Sequence, residues 1–148
     1  MLNSEFAKLI IKSHLLEDEF IEILKQPGDV LTIPVRDKAF ADYDFIINEI
    51  KYECKLDTNL SKFNTMFCEY KSRNLESGIS ITKADYYCIK SIDDYYIIPT
   101  KFIKDLIKSN EFKTKHCGYK SYSSCYLIPS YHFVQFQIKT EIPEIKDS

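Results

Sequence analysis

The sequence predicts an α/β protein in which helices flank a central mixed β-sheet. Apolar residues recur at helical spacing near the start of the chain, and several later segments alternate between apolar and polar residues. Only 3 of the 148 residues are glycine, which favours regular secondary structure over long loops. The length suits a single domain over 1–148, with a polar tail over about 139–148.

Two helices are predicted from apolar residues spaced three and four apart. The first follows Ser4, covers 4–25 and ends at the helix-breaking stretch "QPG". The second covers 100–109, with Thr100 as its N-cap and Phe102, Ile103, Leu106 and Ile107 on one face.

Strands are predicted where β-branched and aromatic residues alternate with polar ones. A short edge segment is expected within 29–35, because Pro34 cannot donate a hydrogen bond to a neighbouring strand. Two tight hairpins are expected, with turns at Asn48-Glu49 and Asp93-Asp94, and 57–64 is expected to be a loop. The predicted strands are 43–47, 50–55, 65–71, 86–92, 95–99 and 124–129.

Charge is distributed unevenly along the chain. Residues 1–60 carry 7 basic and 12 acidic side chains, whereas residues 61–148 carry 13 basic and 10 acidic ones. A basic half beside an acidic half is compatible with phosphate contacts next to a carboxylate cluster that binds metal. A solvated helix surface explains the charge pattern equally well.

The five cysteines and the absence of a long apolar segment indicate in which cell compartment the protein is expected. Five is an odd number, and the chain opens without an apolar targeting segment, so we expect free thiols in a reducing, cytoplasmic environment. No stretch approaches the roughly 20 apolar residues that span a bilayer, so a membrane partner is not expected. Cysteine and histidine spacings that bind structural zinc are also missing.

The stretch "YECKLD" at 52–57 concentrates charge on one predicted strand. Glu53, Lys55 and Asp57 share one face of the strand, while Cys54 lies on the apolar face. A turn at 48–49 sets Asp44 opposite Glu53 on the partner strand, where Cβ atoms lie about 5 Å apart. Two carboxylates this close repel each other unless a cation lies between them, and Mg²⁺ or Mn²⁺ suits such a pair.

Lys55 then has a function, because its ammonium group can hold an attacking water or a phosphate. Glu69 extends the same cluster, because "CEYK" repeats the acid-x-lysine spacing. The same spacing predicts that Lys71 lies on the same strand face as Glu69. The alternative is a solvated strand face with weak ion pairs, and the spacing alone leaves both interpretations open.

The segments "DYDFIINEIKYECKLD" and "FCEYKSRNLESGISITKADYY" resemble the PD-(D/E)xK nuclease superfamily, in particular a subgroup from phages and large DNA viruses. The resemblance covers roughly residues 42–128. It implies a restriction-endonuclease-like fold, metal ligands at Asp44 and Glu53, and a catalytic lysine at Lys55. Glu69 matches a further acidic position and is taken as catalytic.

Other positions follow from the resemblance with less defined functions. Asp57 matches an acidic position of the subgroup, and a glutamate on the N-terminal helix contributes in some members, for which Glu5 and Glu19 are the candidates.

A turn rich in hydroxyl groups follows the third predicted strand. Ser77, Gly78, Thr82 and Lys83 in "SGISITKAD" form a candidate phosphate-binding turn, because glycine permits close backbone approach and hydroxyl groups bond phosphate oxygens. An ordinary capped turn is the competing interpretation. Two basic residues just before it are further candidates for contacts with the nucleic-acid backbone: Lys71 and Arg73.

The sequence therefore predicts a Mg²⁺- or Mn²⁺-dependent endonuclease acting on DNA. Branched DNA of the Holliday-junction type is one form of the expected substrate, and a homodimer is expected because cutting two strands suits two-fold symmetry. The alternative is a non-catalytic module on the same fold that binds nucleic acid or another protein.

Overall fold

The computed structural model describes residues 4–34 and 43–139, and these ranges contain three α-helices. The helices are α1 (Ser4–Leu24), α2 (Thr58–Lys62) and α3 (Thr100–Ser109). The first and third match the predicted helices 4–25 and 100–109 to within one residue. Of the predicted polar tail 139–148, only Lys139 lies among the described residues.

In the described residues, ten strands form two sheets. They are β1 (Leu31–Thr32), β2 (Phe45–Ile47), β3 (Ile50–Leu56), β4 (Thr65–Ser72), β5 (Leu75–Glu76), β6 (Tyr86–Ser91), β7 (Asp94–Pro99), β8 (Thr114–Cys117), β9 (Ser123–Pro129) and β10 (Gln137–Ile138). The larger sheet has the order β1-β2-β3-β6-β7-β10. Its β3–β6 pair is parallel and its other pairs are antiparallel, so the predicted mixed sheet is confirmed.

The smaller sheet is antiparallel, with the order β5-β4-β9-β8. It contains the predicted strands 65–71 and 124–129, which pair with each other across more than fifty residues of chain. The prediction of one central sheet between helices is therefore only partly confirmed. One layer beside the large sheet is a second sheet, and the helices are few.

The large sheet is covered on both faces. On one face, Leu16 and Phe20 of α1 pack against Phe45, Ile47 and Tyr52. The opposite face packs against the smaller sheet and α3, in a core that includes Met66, Ile89, Ile98, Ile103 and Ile128. This two-sided burial explains why neighbouring β6 residues Cys88 and Ile89 are both fully buried.

Local structure departs from the predictions at three points. The expected loop 57–64 contains α2, which begins after Asp57 as its N-cap. The second hairpin turns at Ile92-Asp93 and not at Asp93-Asp94, because Asp94 pairs with Ser91. Thr100 is the first residue of α3, and Pro99 precedes it at the N-cap position without a side-chain cap. The first hairpin turns at Asn48-Glu49 as predicted, and both residues have positive φ.

The expectation of five free thiols is wrong for one pair of cysteines. Cys117 and Cys125 form a disulfide between the antiparallel neighbours β8 and β9, with their Cα atoms 6.4 Å apart. Cys54, Cys68 and Cys88 are free. In the part of the chain that the structure describes, no helix combines the length and apolar character needed to cross a membrane.

Candidate active site

The β2–β3 hairpin brings Asp44 and Glu53 together as predicted. The register ends at the pair Phe45 and Tyr52, and the Asp44 backbone N–H donates to the Tyr52 carbonyl oxygen at 2.8 Å, so Asp44 lies beside Glu53 just before β2 begins. The Asp44 carboxylate accepts a hydrogen bond from the Cys54 backbone N–H at 2.6 Å, so the β3 backbone fixes its position. The two carboxylates lie close enough for Asp44 to disfavour the charged form of Glu53.

Glu53 is held by a hydroxyl group from the segment that follows β5. Thr82 Oγ1 donates to Glu53 Oε2 at 2.7 Å and itself accepts from the Ala84 backbone N–H at 3.1 Å. Burial raises the pKa of Glu53 to about 7, the bond from Thr82 opposes this change, and the Asp44 carboxylate adds to it. A cation beside this pair would relieve both the burial of charge and the repulsion.

Lys55 and Asp57 bind the two backbone polar groups of one residue on β4, Phe67. The Lys55 ammonium donates to the Phe67 carbonyl oxygen. Asp57 Oδ2 accepts from the Phe67 N–H at 2.8 Å, and Oδ1 accepts from the Asn59 N–H at 3.1 Å. Asp57 is only 3% exposed. It therefore caps α2 and ties the end of β3 to β4, so a structural function accounts for it.

Glu69 is fixed by hydroxyl groups on both of its carboxylate oxygens. Ser77 Oγ donates to Oε2 at 3.0 Å, and Ser123 Oγ donates to Oε1. Gly78 packs on the Glu69 peptide so closely that a Cβ would lie 2.9 Å from its carbonyl carbon. The close approach that Gly78 permits is thus to β4, and its φ of +52° also favours glycine.

A cavity of about 390 Å³ brings three of the predicted catalytic residues together. It lies between β3 and the smaller sheet, and its lining includes Glu53, Lys55 and Glu69. Asp44 is not part of that lining. It belongs to the site because it lies beside Glu53 and affects the charge of that residue. The disulfide between β8 and β9 forms part of the wall.

The predicted nucleic-acid contacts divide into two groups. The hydroxyl groups of Ser77 and Thr82 already bind carboxylates, so they shape the cavity in the free protein. Lys71, Arg73 and Lys83 are exposed, and the Arg73 guanidinium lies 4.9 Å from the centre of the Tyr122 ring. The pairing register shifts between Glu69 and Lys71, which interrupts the alternation that predicted a shared face for them.

The two candidate glutamates of α1 stay predictions. Glu19 pairs with Lys90 at 3.0 Å and accepts from the Tyr95 hydroxyl, and the side chain of Glu5 lies outside the described part of the structure. Glu17, which the sequence analysis missed, is only 6% exposed. Its position three residues before buried Phe20, on the apolar face of α1, is the signal that could have indicated it.

Asp44 and Glu17 both act on the Cys54 thiol. A hydrogen bond with Cys88 and burial raise the pKa of the Cys54 thiol, and the carboxylates of Asp44 and Glu17 raise it further. The acidic environment of the hairpin therefore includes a side chain from α1.

The residues present fit a Mg²⁺ site built on two carboxylates. Over the described ranges, no group of three or more histidine, cysteine, aspartate or glutamate side chains is placed to bind one metal ion. Mg²⁺ needs no such group, because it commonly binds one or two carboxylates and keeps water and phosphate as its other ligands. Asp44 and Glu53 provide this pair.

Comparison with protein families, with curated proteins and with solved structures finds no significant match to the chain. The geometry of the site is therefore the basis for inferring a function.

Proposed function

We propose that the chain is a metal-dependent endonuclease that hydrolyses phosphodiester bonds in DNA, on a restriction-endonuclease-like fold. The observation that supports this best is the arrangement of the β2–β3 hairpin. It places Asp44 beside Glu53 and brings Glu53 and Lys55 to one cavity. Two acids and a lysine beside a space for substrate are the groups that metal-assisted hydrolysis of a phosphodiester requires.

Each of these residues has a separate function in the proposed reaction. Asp44 and Glu53 hold Mg²⁺ or Mn²⁺. When bound, Mg²⁺ lowers the pKa of a water molecule and stabilises charge on the leaving oxygen. Lys55 exchanges its bond to the Phe67 carbonyl for the scissile phosphate or the attacking water. Glu69, held by its two serines, orients polar groups from the opposite wall of the cavity.

Basic residues outside the cavity supply contacts to the DNA backbone in this proposal. Lys71, Arg73 and Lys83 are exposed, and they belong to the more basic part of the chain. Action on branched DNA is one form of this activity, and a homodimer suits it because cutting two strands fits two-fold symmetry.

A second candidate function is a non-catalytic module on the same fold that binds nucleic acid or another protein. The observation favouring it is that the charged groups of the cavity have protein partners. Lys55 binds the Phe67 carbonyl, Glu53 binds Thr82, and Glu69 binds two serines. A polar network that only joins the two sheets would need these same bonds.

Plasmid nicking separates the two functions. We expect the purified protein to nick supercoiled plasmid or branched DNA with Mg²⁺ or Mn²⁺, and EDTA to abolish this. Lys55→Ala should lower the rate by about 100-fold or more. The control is Lys62→Ala, because Lys62 is exposed on α2 and lies outside the cavity lining. Circular dichroism should show that both variants are folded.

Wild-type protein that binds DNA but cleaves no substrate with any divalent metal would overturn the enzymatic proposal. That result would favour the binding module.

A further inference from the structure

The cavity around Glu53 and Lys55 is small compared with double-stranded DNA. Its volume of about 390 Å³ lies near the lower end of the range of about 300–1,000 Å³ for ligand pockets. Its lining includes buried side chains such as Ile89 and Ile103, so its inner end lies against the core. A duplex does not fit such a space, since its major groove alone is about 12 Å wide. A single nucleotide does.

The charged groups lie inside this cavity and not on a convex surface. Glu53 and Lys55 are both half-buried, and burial is the main reason for the raised pKa of Glu53. Lys55 extends across the cavity to the Phe67 carbonyl on the other wall. A phosphate therefore meets both residues only by entering the cavity. In a duplex, stacking and pairing hold each nucleotide in the helix, so a nucleotide that enters alone must be unpaired.

The cavity lining also offers surfaces that suit an exposed base. Phe67 is half-buried, and the Lys115 ammonium lies 5.8 Å from the centre of its ring. Leu56, at the end of β3, lines the cavity and is 50% exposed. An aromatic ring beside a cation is a common arrangement in proteins that bind single strands, because bases stack on the ring and phosphates bind the cation.

On the basis of the proposed nuclease function, we propose that the cavity receives one unpaired nucleotide. The substrate is then single-stranded or locally unpaired nucleic acid, such as a flap or the centre of a branched junction. Continuous duplex is a poor substrate. Phe67 stacks on the base and Lys115 contacts the backbone beside it.

Fluorescence anisotropy tests this without catalysis. The wild-type protein is titrated in EDTA into labelled single-stranded DNA, the same sequence as a closed hairpin duplex, a flap, and single-stranded RNA. We expect the single strand and the flap to bind about tenfold more tightly than the duplex. Equal or tighter binding to the duplex, or no binding to any of them at low salt, would overturn the proposal. The RNA titration shows which sugar the protein prefers.

A matched pair of variants tests the stacking surface. Phe67→Leu should weaken binding to the single strand by about tenfold and leave duplex binding unchanged. Phe63→Leu is the control, because Phe63 also lies near a lysine but is 61% exposed and outside the cavity lining. Thermal unfolding should show that both variants fold. A folded Phe67→Leu protein with wild-type affinity for the single strand would contradict the assigned function of Phe67.

Cleavage assays separate failure of this inference from failure of the nuclease proposal. Preferred binding of single strands without cleavage under any metal overturns the nuclease function and leaves the nucleotide site standing. Cleavage of continuous duplex as fast as of single strands overturns the nucleotide site and leaves the nuclease function standing.

Discussion

Replacement of Asp57 tests whether this buried acid is structural or belongs to the chemistry. Its carboxylate accepts from the Asn59 N–H at 3.1 Å and from the Phe67 N–H at 2.8 Å. The side chain is 3% exposed, so water does not readily replace it. Asp57→Ala should therefore destabilise the fold by more than the loss of an exposed cap.

The magnitude follows from the two bonds. Loss of an N-cap aspartate costs about 0.5–2 kcal/mol. Leaving the N–H of half-buried Phe67 without its acceptor costs about 1–3 kcal/mol more. We expect a decrease of about 1.5–5 kcal/mol in the free energy of unfolding for Asp57→Ala. Asp57→Asn keeps one acceptor oxygen and should lose about half as much.

Urea denaturation followed by circular dichroism measures these changes. The control is Asp93→Ala, because Asp93 is exposed in the turn between β6 and β7. A stability of Asp57→Ala within about 0.5 kcal/mol of wild type, as expected for a surface substitution, would refute the structural assignment. Loss of DNA cleavage at unchanged stability would instead place Asp57 in the active site.

Three further predictions follow from the fold and the cavity. Gly78→Ala should lower the free energy of unfolding by about 3 kcal/mol or more, because its Cβ meets a β4 carbonyl group. The control is Gly28→Ala, which is also at positive φ but in open space and should cost about 1 kcal/mol. Similar costs for the two variants would contradict the close packing of Gly78 on β4. Because burial raises the pKa of Glu53 from 4.5 to about 7, the wild type loses stability as pH rises through that range in EDTA. Glu53→Gln should therefore gain roughly 2–3 kcal/mol relative to wild type between about pH 4.5 and 7, and a flat difference in urea denaturation would refute this. Reduction of the disulfide should lower the free energy of unfolding by about 2 kcal/mol, because it opens the loop between Cys117 and Cys125. Thiol labelling of the unfolded, unreduced protein should give three labels, and five labels would exclude the disulfide.

Features that depend on neighbouring residues were predictable from the sequence. The β2–β3 hairpin follows from alternation on both sides of Asn48-Glu49, and this local pattern brings Asp44 beside Glu53. Helix α3 follows from four apolar residues at helical spacing. Predictions of this kind need no knowledge of the remainder of the chain.

Features that depend on distant pairing were not predictable. The alternation in β4 and β9 indicates strands but does not say which strands pair, so their separation into a second sheet was missed. The five residues of α2 are too few to show a helical period. The disulfide requires β8 to lie beside β9, and β8 itself was not predicted.

The candidate site shows the same division. Glu53, Lys55 and Glu69 were named from acid-x-lysine spacing, and all three line one cavity. The partners of the hydroxyl groups were not foreseen, since the bond between Thr82 and Glu53 joins residues 29 positions apart. Hydroxyl groups expected at a phosphate therefore bind carboxylates in the free protein.

The contacts at Phe67 also protect an open sheet edge. Strand β5 pairs with β4 only at Lys71 and Ser72, and within 4–34 and 43–139 no other strand pairs with Phe67 on that side. Lys55 and Asp57 bind the carbonyl and the N–H that such a strand would bind. An unprotected edge of this kind is a site where another chain can add a strand. Substitution of Lys55 thus exposes a backbone acceptor as well as removing a charge, and such variants should self-associate more readily at high protein concentration.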